Sequence, residues 1–127
     1  MKKRGILNAS LSEGIARLGH GDLVVVADCG LPLPLDARVI DLAVVAGVPA
    51  FQQVLDAMLD EIVVEGALAA EESRTTAAGP WIASRIEHVQ YILHEEFKKL
   101  TATAKLIVRT GEATPYANVA LRSGVPF

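Results

Sequence analysis

The feature that most constrains the fold is a short run of β-branched and apolar residues, Leu23 to Ala27, with polar residues on both sides. Such a run, bounded by Gly21-Asp22 and by Cys29-Gly30, predicts a buried strand. The two prolines that follow cannot continue a central strand, so the strand must end in a turn. Asp28 is therefore predicted to lie on an exposed turn at the carboxyl end of this strand.

His20 stands just before the same strand, and both polar residues are candidates for a functional site. In open α/β sheets ligands bind outside the carboxyl ends of the strands, which favours Asp28. At ~3.3 Å per residue, His20 and Asp28 lie roughly 25 Å apart along the strand. We therefore expect either that the loop after Gly19 folds back or that a site containing both residues draws on two subunits.

Composition limits the classes of protein that this chain can belong to. The 127 residues suffice for one domain, and 51% of them are hydrophobic with few aromatics, which suggests surface buried against other copies. The net charge of −3 offers no basic stripe for nucleic acid. The longest nearly apolar run, Leu42 to Phe51, is short of the ~20 residues that a membrane span needs. We expect a soluble, cytoplasmic protein.

Helical and strand patterns alternate along the rest of the chain. Ser10 and Glu13 have the spacing of a capping box, which predicts a first helix near residues 8–18. Further helices are predicted after Pro49, from Pro80 to near His88, and over residues 94–100. Strands are predicted at residues 39–45, 62–69, 89–93 and 104–108, and residues 71–79 are predicted to be a loop or a helix start. This order predicts an α/β fold, a single three-layer domain over residues 1–127 with a mostly parallel or mixed sheet and helices on both faces.

Polar residues follow three of the predicted strands, namely Asp28, His94 and the segment from Arg109 to Glu112. If these strands are parallel, their polar ends converge on one edge of the sheet. Simpler interpretations stay open: His20 as a surface histidine beside a helix end, Asp28 as an Asx-turn residue and His94 as a helix cap.

Other residue types give weaker indications. Tyr116 and Asn118 would ordinarily belong to a turn and a strand edge. The single cysteine, Cys29, has no histidine near it in sequence and is expected to be a small buried core residue. The histidines show no metal-ligand spacing, and no glycine-rich nucleotide motif is present. We therefore expect no metal site and no bound nucleotide.

Four segments together resemble the D-ribose pyranase family: MKKRGILN at the start, GHGDLVVVADCGLPLP, HEEFKKL, and RTGEATPYANVALRSGV near the end. The resemblance covers nearly the whole chain and keeps the order and spacing of all four segments. The related fucose mutarotases share the early histidine and aspartate but differ in the late segments. Two departures from the family pattern are Cys29, where alanine or another small residue is expected, and a shortened region from Glu71 to Ser84.

The resemblance implies interconversion of the pyranose and furanose forms of D-ribose by general acid/base ring opening and closure, without a metal or organic cofactor. It assigns the general acid to His20. It assigns substrate contacts to Asp28, His94 and the Tyr116-Ala117-Asn118 segment. It also implies a homodecamer of stacked rings with the site between neighbouring subunits, which would bring His20 of one subunit near Asp28 of another.

The residue types suit this chemistry. Opening a hemiacetal ring needs a proton delivered to the ring oxygen and another removed from the anomeric hydroxyl, and imidazole exchanges protons near neutral pH. Three alternatives remain at this stage: a fucose-type mutarotase, a non-catalytic sugar-binding protein accessory to ribose uptake, and a structural oligomer whose polar strand ends have no catalytic role.

Overall fold

The computed structural model describes all 127 residues and contains six strands and four helices. The strands are β1 (Leu23–Ala27), β2 (Val39–Asp41), β3 (Val64–Ala70), β4 (Val89–Ile92), β5 (Leu106–Arg109) and β6 (Val119–Ser123). The helices are α1 (Ala9–Ala16), α2 (Phe51–Leu59), α3 (Ala78–Ala83) and α4 (His94–Leu100). Short 3₁₀ turns span Glu71–Thr75 and Thr101–Thr103.

The strands form one mixed sheet in the order β2-β5-β1-β6-β3-β4. β1 and β2 each pair in parallel with β5, and β3 pairs in parallel with β4. β6 lies between β1 and β3 and is antiparallel to both. Five strands therefore run in one direction and share a carboxyl-terminal edge, and the loop that leads into β6 arrives at this same edge.

Alternating side chains along the strands build two cores, one on each face of the sheet. On one face, Val24, Val26 and Val108 pack in a cluster with Leu55 and Met58 of α2, and α1 and α3 add Leu11 and Ile82. On the other face, Val25, Ala27 and Ile107 pack with Phe97 of α4. The predicted three-layer α/β fold with a mixed sheet and helices on both faces is confirmed.

Several predicted boundaries are wrong for identifiable reasons. The strand predicted over residues 39–45 ends at Asp41, because the apolar residues after it form a turn in which Val44 N–H donates to Val48 O at 2.9 Å. The third predicted helix ends at Ala83 instead of near His88. By contrast, the prediction of a loop or a helix start over residues 71–79 agrees with the structure, in which a 3₁₀ turn spans Glu71–Thr75 and α3 begins at Ala78.

The first helix begins with a different cap from the one predicted. Asn8 is the N-cap residue, and its Oδ1 accepts the backbone N–H of Leu11 at 2.9 Å. Ser10 and Glu13 lie inside the helix and form no capping box, since Ser10 is not at the position that precedes the first turn. The helix itself, Ala9–Ala16, falls within the predicted range.

No helix of this chain reaches the length and apolar character that a bilayer crossing requires.

Candidate active site

The carboxyl-terminal edge of the sheet carries a cavity of about 280 Å³, close to the lower limit of ordinary ligand pockets at about 300 Å³. Two turns and one helix end line it: the turn after β1, the loop between β5 and β6, and the start of α4. The lining residues are Asp28, Cys29, Gly30, Leu31, Pro32, His94, Glu112, Ala113, Thr114, Pro115 and Tyr116. The predicted convergence of the polar strand ends on one edge is therefore confirmed.

Asp28 is held in a fixed position by hydrogen bonds to both of its carboxylate oxygens. Oδ1 accepts the backbone N–H of Gly30 at 2.9 Å, which makes an Asx-turn, and Oδ2 accepts Asn118 Nδ2 at 2.8 Å. The side chain is buried rather than exposed as predicted, because the β5–β6 loop covers the turn. Each carboxylate oxygen has more than one acceptor direction, so Asp28 can still accept hydroxyl protons from a ligand.

Asn118 holds Asp28 in place and is fully buried. Its Oδ1 accepts the backbone N–H of Asp28 at 2.8 Å while its Nδ2 donates to the carboxylate. One side-chain amide therefore binds both the backbone and the carboxylate of the aspartate. Ala117 is fully buried as well, and neither residue lines the cavity. Within one chain, Tyr116 is therefore the residue of the Tyr116-Ala117-Asn118 segment that lines the cavity, and Asn118 influences the cavity through its bonds to Asp28.

Tyr116 has a left-handed backbone, with φ of 62°, which is uncommon for a bulky residue. Its carbonyl accepts the N–H of Asn118 at 2.8 Å, so the strained turn is closed locally. The ring meets His94 edge to face, with centroids 5.0 Å apart and planes at 83°. Backbone strain of this kind is concentrated at ligand sites, where the surrounding structure holds it in place.

His94 opens α4, but its side chain does not cap the helix. Its backbone N–H donates to Glu72 Oε2 at 2.9 Å, and its ring faces the cavity beside Tyr116. Nδ1 is buried and has no hydrogen-bond partner in the chain. Because a buried polar atom without a partner costs about 1–3 kcal/mol, this nitrogen is suited to a ligand hydroxyl. The helix-cap interpretation is therefore wrong.

Glu112 is a cavity residue that the sequence patterns did not single out from the segment Arg109 to Glu112. Its Oε2 accepts the backbone N–H of Phe51 and its Oε1 accepts that of Thr114, both at 3.1 Å. Burial alone would raise the pKa of this carboxyl, but the backbone donors of Phe51 and Thr114 outweigh burial and hold the pKa below its usual value. Glu112 thus stays ionised near neutral pH and ties α2 to the cavity loop.

Cys29 is half-buried at the cavity wall and does not belong to either core, contrary to the sequence-based expectation. The backbone explains its place: its N–H donates to Glu112 O at 2.8 Å, and its carbonyl accepts Arg109 Nη2 at 2.8 Å. Arg109 also pairs with Asp41 at 3.0 Å. These bonds fix the turn after β1 against the ends of β2 and β5.

His20 lies on the opposite edge of the sheet, in the turn that leads into β1. Its Nε2 is 2.8 Å from Glu65 Oε2 of β3, and 63% of its side chain is exposed. It is not part of the cavity around Asp28. The loop after Gly19 does not fold back, so the single chain leaves the two residues apart. No group of three or more His, Cys, Asp and Glu side chains is placed to hold a metal ion.

Comparison with known proteins gives consistent matches over the full length. The sequence matches the RbsD / FucU transport protein family over residues 1–126. D-ribose pyranases of Cutibacterium acnes and Geobacillus thermodenitrificans are each 53% identical to it, with 100% of this chain and 100% and 99% of those proteins covered. The solved structure of Bacillus subtilis RbsD complexed with D-ribose is similar at a TM-score of 0.95 and 44% identity, with all of both chains covered.

The fold is also that of a fucose mutarotase from Streptococcus pneumoniae, which has a TM-score of 0.82 at 23% identity and covers 95% of each chain. Matches over the whole length in sequence and in fold lead to one conclusion. The chain belongs to the RbsD / FucU transport protein family.

Proposed function

We propose that this chain is a D-ribose pyranase, an isomerase that interconverts the pyranose and furanose forms of D-ribose. The observation that carries the proposal is the full-length identity of about half the residues to proteins of that name. The likeness to RbsD complexed with D-ribose supports the same sugar. The resemblance to the D-ribose pyranase family implies that the reaction needs no metal and no organic cofactor.

The cavity supports a small polyhydroxylated ligand. Asp28 offers carboxylate acceptors in a fixed position, and the unpartnered Nδ1 of His94 is suited to one more hydroxyl. Tyr116 adds an aromatic face and a phenol. We assign direct substrate contacts to the cavity residues Asp28, His94 and Tyr116. In the Tyr116-Ala117-Asn118 segment, Asn118 acts by holding Asp28, and Ala117 is the buried residue that joins Tyr116 to Asn118.

His20 is the proposed general acid. As an imidazolium it gives a proton to the ring oxygen while the bond between that oxygen and the anomeric carbon breaks. The neutral imidazole then takes the proton of the anomeric hydroxyl, which becomes the aldehyde oxygen. Closure through a different hydroxyl reverses these steps, so no net proton is consumed and no bond to the protein forms.

The activity is tested by NMR saturation transfer between the pyranose and furanose anomeric signals of D-ribose, with and without the protein. We expect transfer to increase with protein concentration. Binding of ribose without faster exchange would favour the sugar-binding alternative. A parallel measurement with L-fucose separates the mutarotase alternative, since a protein that accelerates exchange of fucose and not of ribose would contradict the assignment.

The proposed assembly is a homodecamer with the site between neighbouring subunits. His20 and the Asp28 cavity lie at opposite edges of the sheet, so a site that uses both needs two subunits. Exposed apolar side chains support subunit contacts: Val44 is 75% exposed, Val45 62% and Val48 52%, all in the turn after β2.

We expect light scattering to give a mass near ten times 13.5 kDa at micromolar concentration. Burial of these exposed apolar side chains against a second subunit stabilises the assembly, and this is the physical reason to expect a closed oligomer. A stable monomer under these conditions would contradict both the assembly and a site shared between subunits.

A further inference from the structure

The turn that carries His20 is fixed at its base by charged side chains. Asp22 Oδ2 accepts the backbone N–H of Gly19 at 2.7 Å and Lys105 Nζ at 2.6 Å. The Lys105 ammonium, followed by the Gly19 N–H, holds the pKa of this carboxyl below its usual value, so Asp22 stays ionised. These contacts hold the backbone on both sides of His20 in place, and they do not involve its imidazole.

The imidazole itself has one hydrogen-bond partner in the chain, Glu65. The strand order β1-β6-β3 places Glu65 near the start of β3, two strands away from β1, on the same edge as the His20 turn. Nε2 and Oε2 are 2.8 Å apart, a normal distance for a charge-assisted bond. The bond thus joins residues 45 positions apart across an exposed edge of the sheet.

We propose that Glu65 is a positioning residue for His20. Its carboxylate accepts the proton on Nε2, which fixes the ring orientation and leaves Nδ1 as the nitrogen that exchanges a proton with the sugar. Nδ1 gives its proton to the ring oxygen and later takes the proton of the anomeric hydroxyl, while Nε2 keeps its proton throughout. This inference rests on the proposed role of His20 and deepens it.

Other charged groups at this edge are engaged elsewhere. Asp22 is paired with Lys105, and the Arg122 guanidinium of β6 donates to Gly21 O at 3.3 Å. Neither makes a hydrogen bond with the imidazole. An effect of Glu65 on catalysis is therefore expected to act through the ring and not through a general change of charge at the edge.

The test uses the full-length assembled protein and ribose exchange measured by saturation transfer. We expect Glu65→Ala to lower kcat by about 10-fold to 100-fold, the loss of one hydrogen bond to a charged group, with KM for ribose little changed. KM is preserved because the proposed sugar contacts lie on the other edge of the sheet. Glu65→Gln, whose amide oxygen can still accept the Nε2 proton, is expected to lose less.

A double-variant cycle separates this role from an effect on folding. In a His20→Ala background, Glu65→Ala should cause no further loss, since it acts through the missing ring. Glu87→Gln is the control, because it removes a carboxylate that is 88% exposed and lies 3.9 Å from His88 Nε2. We expect that variant to keep the wild-type rate, and light scattering to show the same assembly for every variant.

Wild-type kcat in Glu65→Ala would overturn the inference, and so would an equal loss with and without His20. Should Glu65→Ala fail to assemble, Glu65→Met decides the matter, because it keeps the length of the side chain but offers no oxygen to accept the Nε2 proton, and an unchanged kcat there overturns the inference. A fully active His20→Ala protein would instead remove the proposed role of His20, and the inference with it. Full activity of His20→Ala would be seen without any change at Glu65. Failure of the proposed role of His20 is therefore distinguishable from failure of the proposed role of Glu65.

Discussion

Replacing His20 by alanine is expected to slow the exchange of ribose ring forms by roughly 10²–10⁴-fold, the usual contribution of a positioned acid or base. Fold and stability should change little, because the side chain is 63% exposed and its one bond is to a surface carboxylate. Saturation transfer at a fixed protein concentration measures the loss, and thermal unfolding together with light scattering checks that the protein is intact.

Asp28→Asn provides the contrasting variant. The amide keeps the shape of the carboxylate but removes its charge, and it turns an acceptor of the Asn118 Nδ2 proton into a possible donor. We expect KM for ribose to rise while some turnover remains.

An active His20→Ala protein would show that His20 is not the general acid, and His94 would be the next residue to test.

The arrangement of the sheet could be predicted in large part because its strands are short, apolar and bounded by turn residues. Five of the strands were predicted within a few residues, and α4 was predicted over the residues it occupies. β6 was missed as a strand, although Val119 to Leu121 is an apolar run. It pairs with β1 and β3, which are distant in sequence, and pairing of that kind leaves no local pattern.

β6, the strand that the sequence patterns do not predict, determines how the site is closed. Because β6 runs against its neighbours, its start lies at the carboxyl-terminal edge, and the loop containing Tyr116 closes over the turn at Asp28. The parallel strands alone predict that Asp28 and His94 share an edge. The burial of Asp28 and its clamp by Asn118, 90 residues away, follow only from the antiparallel strand.

Glu112 and Glu65 illustrate a second limit on sequence reasoning. Each is one acidic residue among 15, and neither has a distinctive spacing. Their partners lie far along the chain: Phe51 is 61 residues from Glu112, and His20 is 45 residues from Glu65. The sequence predicts only that Glu65, inside a strand, must face water, a partner or a ligand, and its contact with His20 meets that expectation.

Gly111 connects the stability of the fold to the cavity, and its replacement by alanine is expected to be the most destabilising single-methyl change near the site. The residue is buried between β5 and the turn after β2, and its N–H donates to Pro49 O at 2.9 Å. A Cβ there would lie 2.6 Å from Val48 N and closer still to the Val48 carbonyl. These are backbone atoms, which cannot move aside as a flexible side chain can.

We therefore expect Gly111→Ala to lower the free energy of unfolding by about 3 kcal/mol or more, at the upper end of overpacking costs. A loss of that size corresponds to a fall in Tm of about 10 °C. Ribose exchange should fall as well, because Glu112 is the next residue and its bond to Phe51 N–H depends on the same segment. Thermal unfolding followed by circular dichroism, at one protein concentration and one scan rate, measures the change.

Gly66→Ala is the matched control for this variant. Gly66 lies in β3, has no positive φ, and a Cβ built on it meets no atom within 4 Å. The same methyl group added there should leave Tm unchanged or slightly raised, since alanine restricts the unfolded chain more than glycine does. If Gly111→Ala unfolded within about 2 °C of the wild type, a change of less than about 1 kcal/mol, the segment at Val48 would have to be mobile enough to accept the methyl group. The rigid link from β5 through Gly111 to Glu112 would then not be what holds the cavity loop in place.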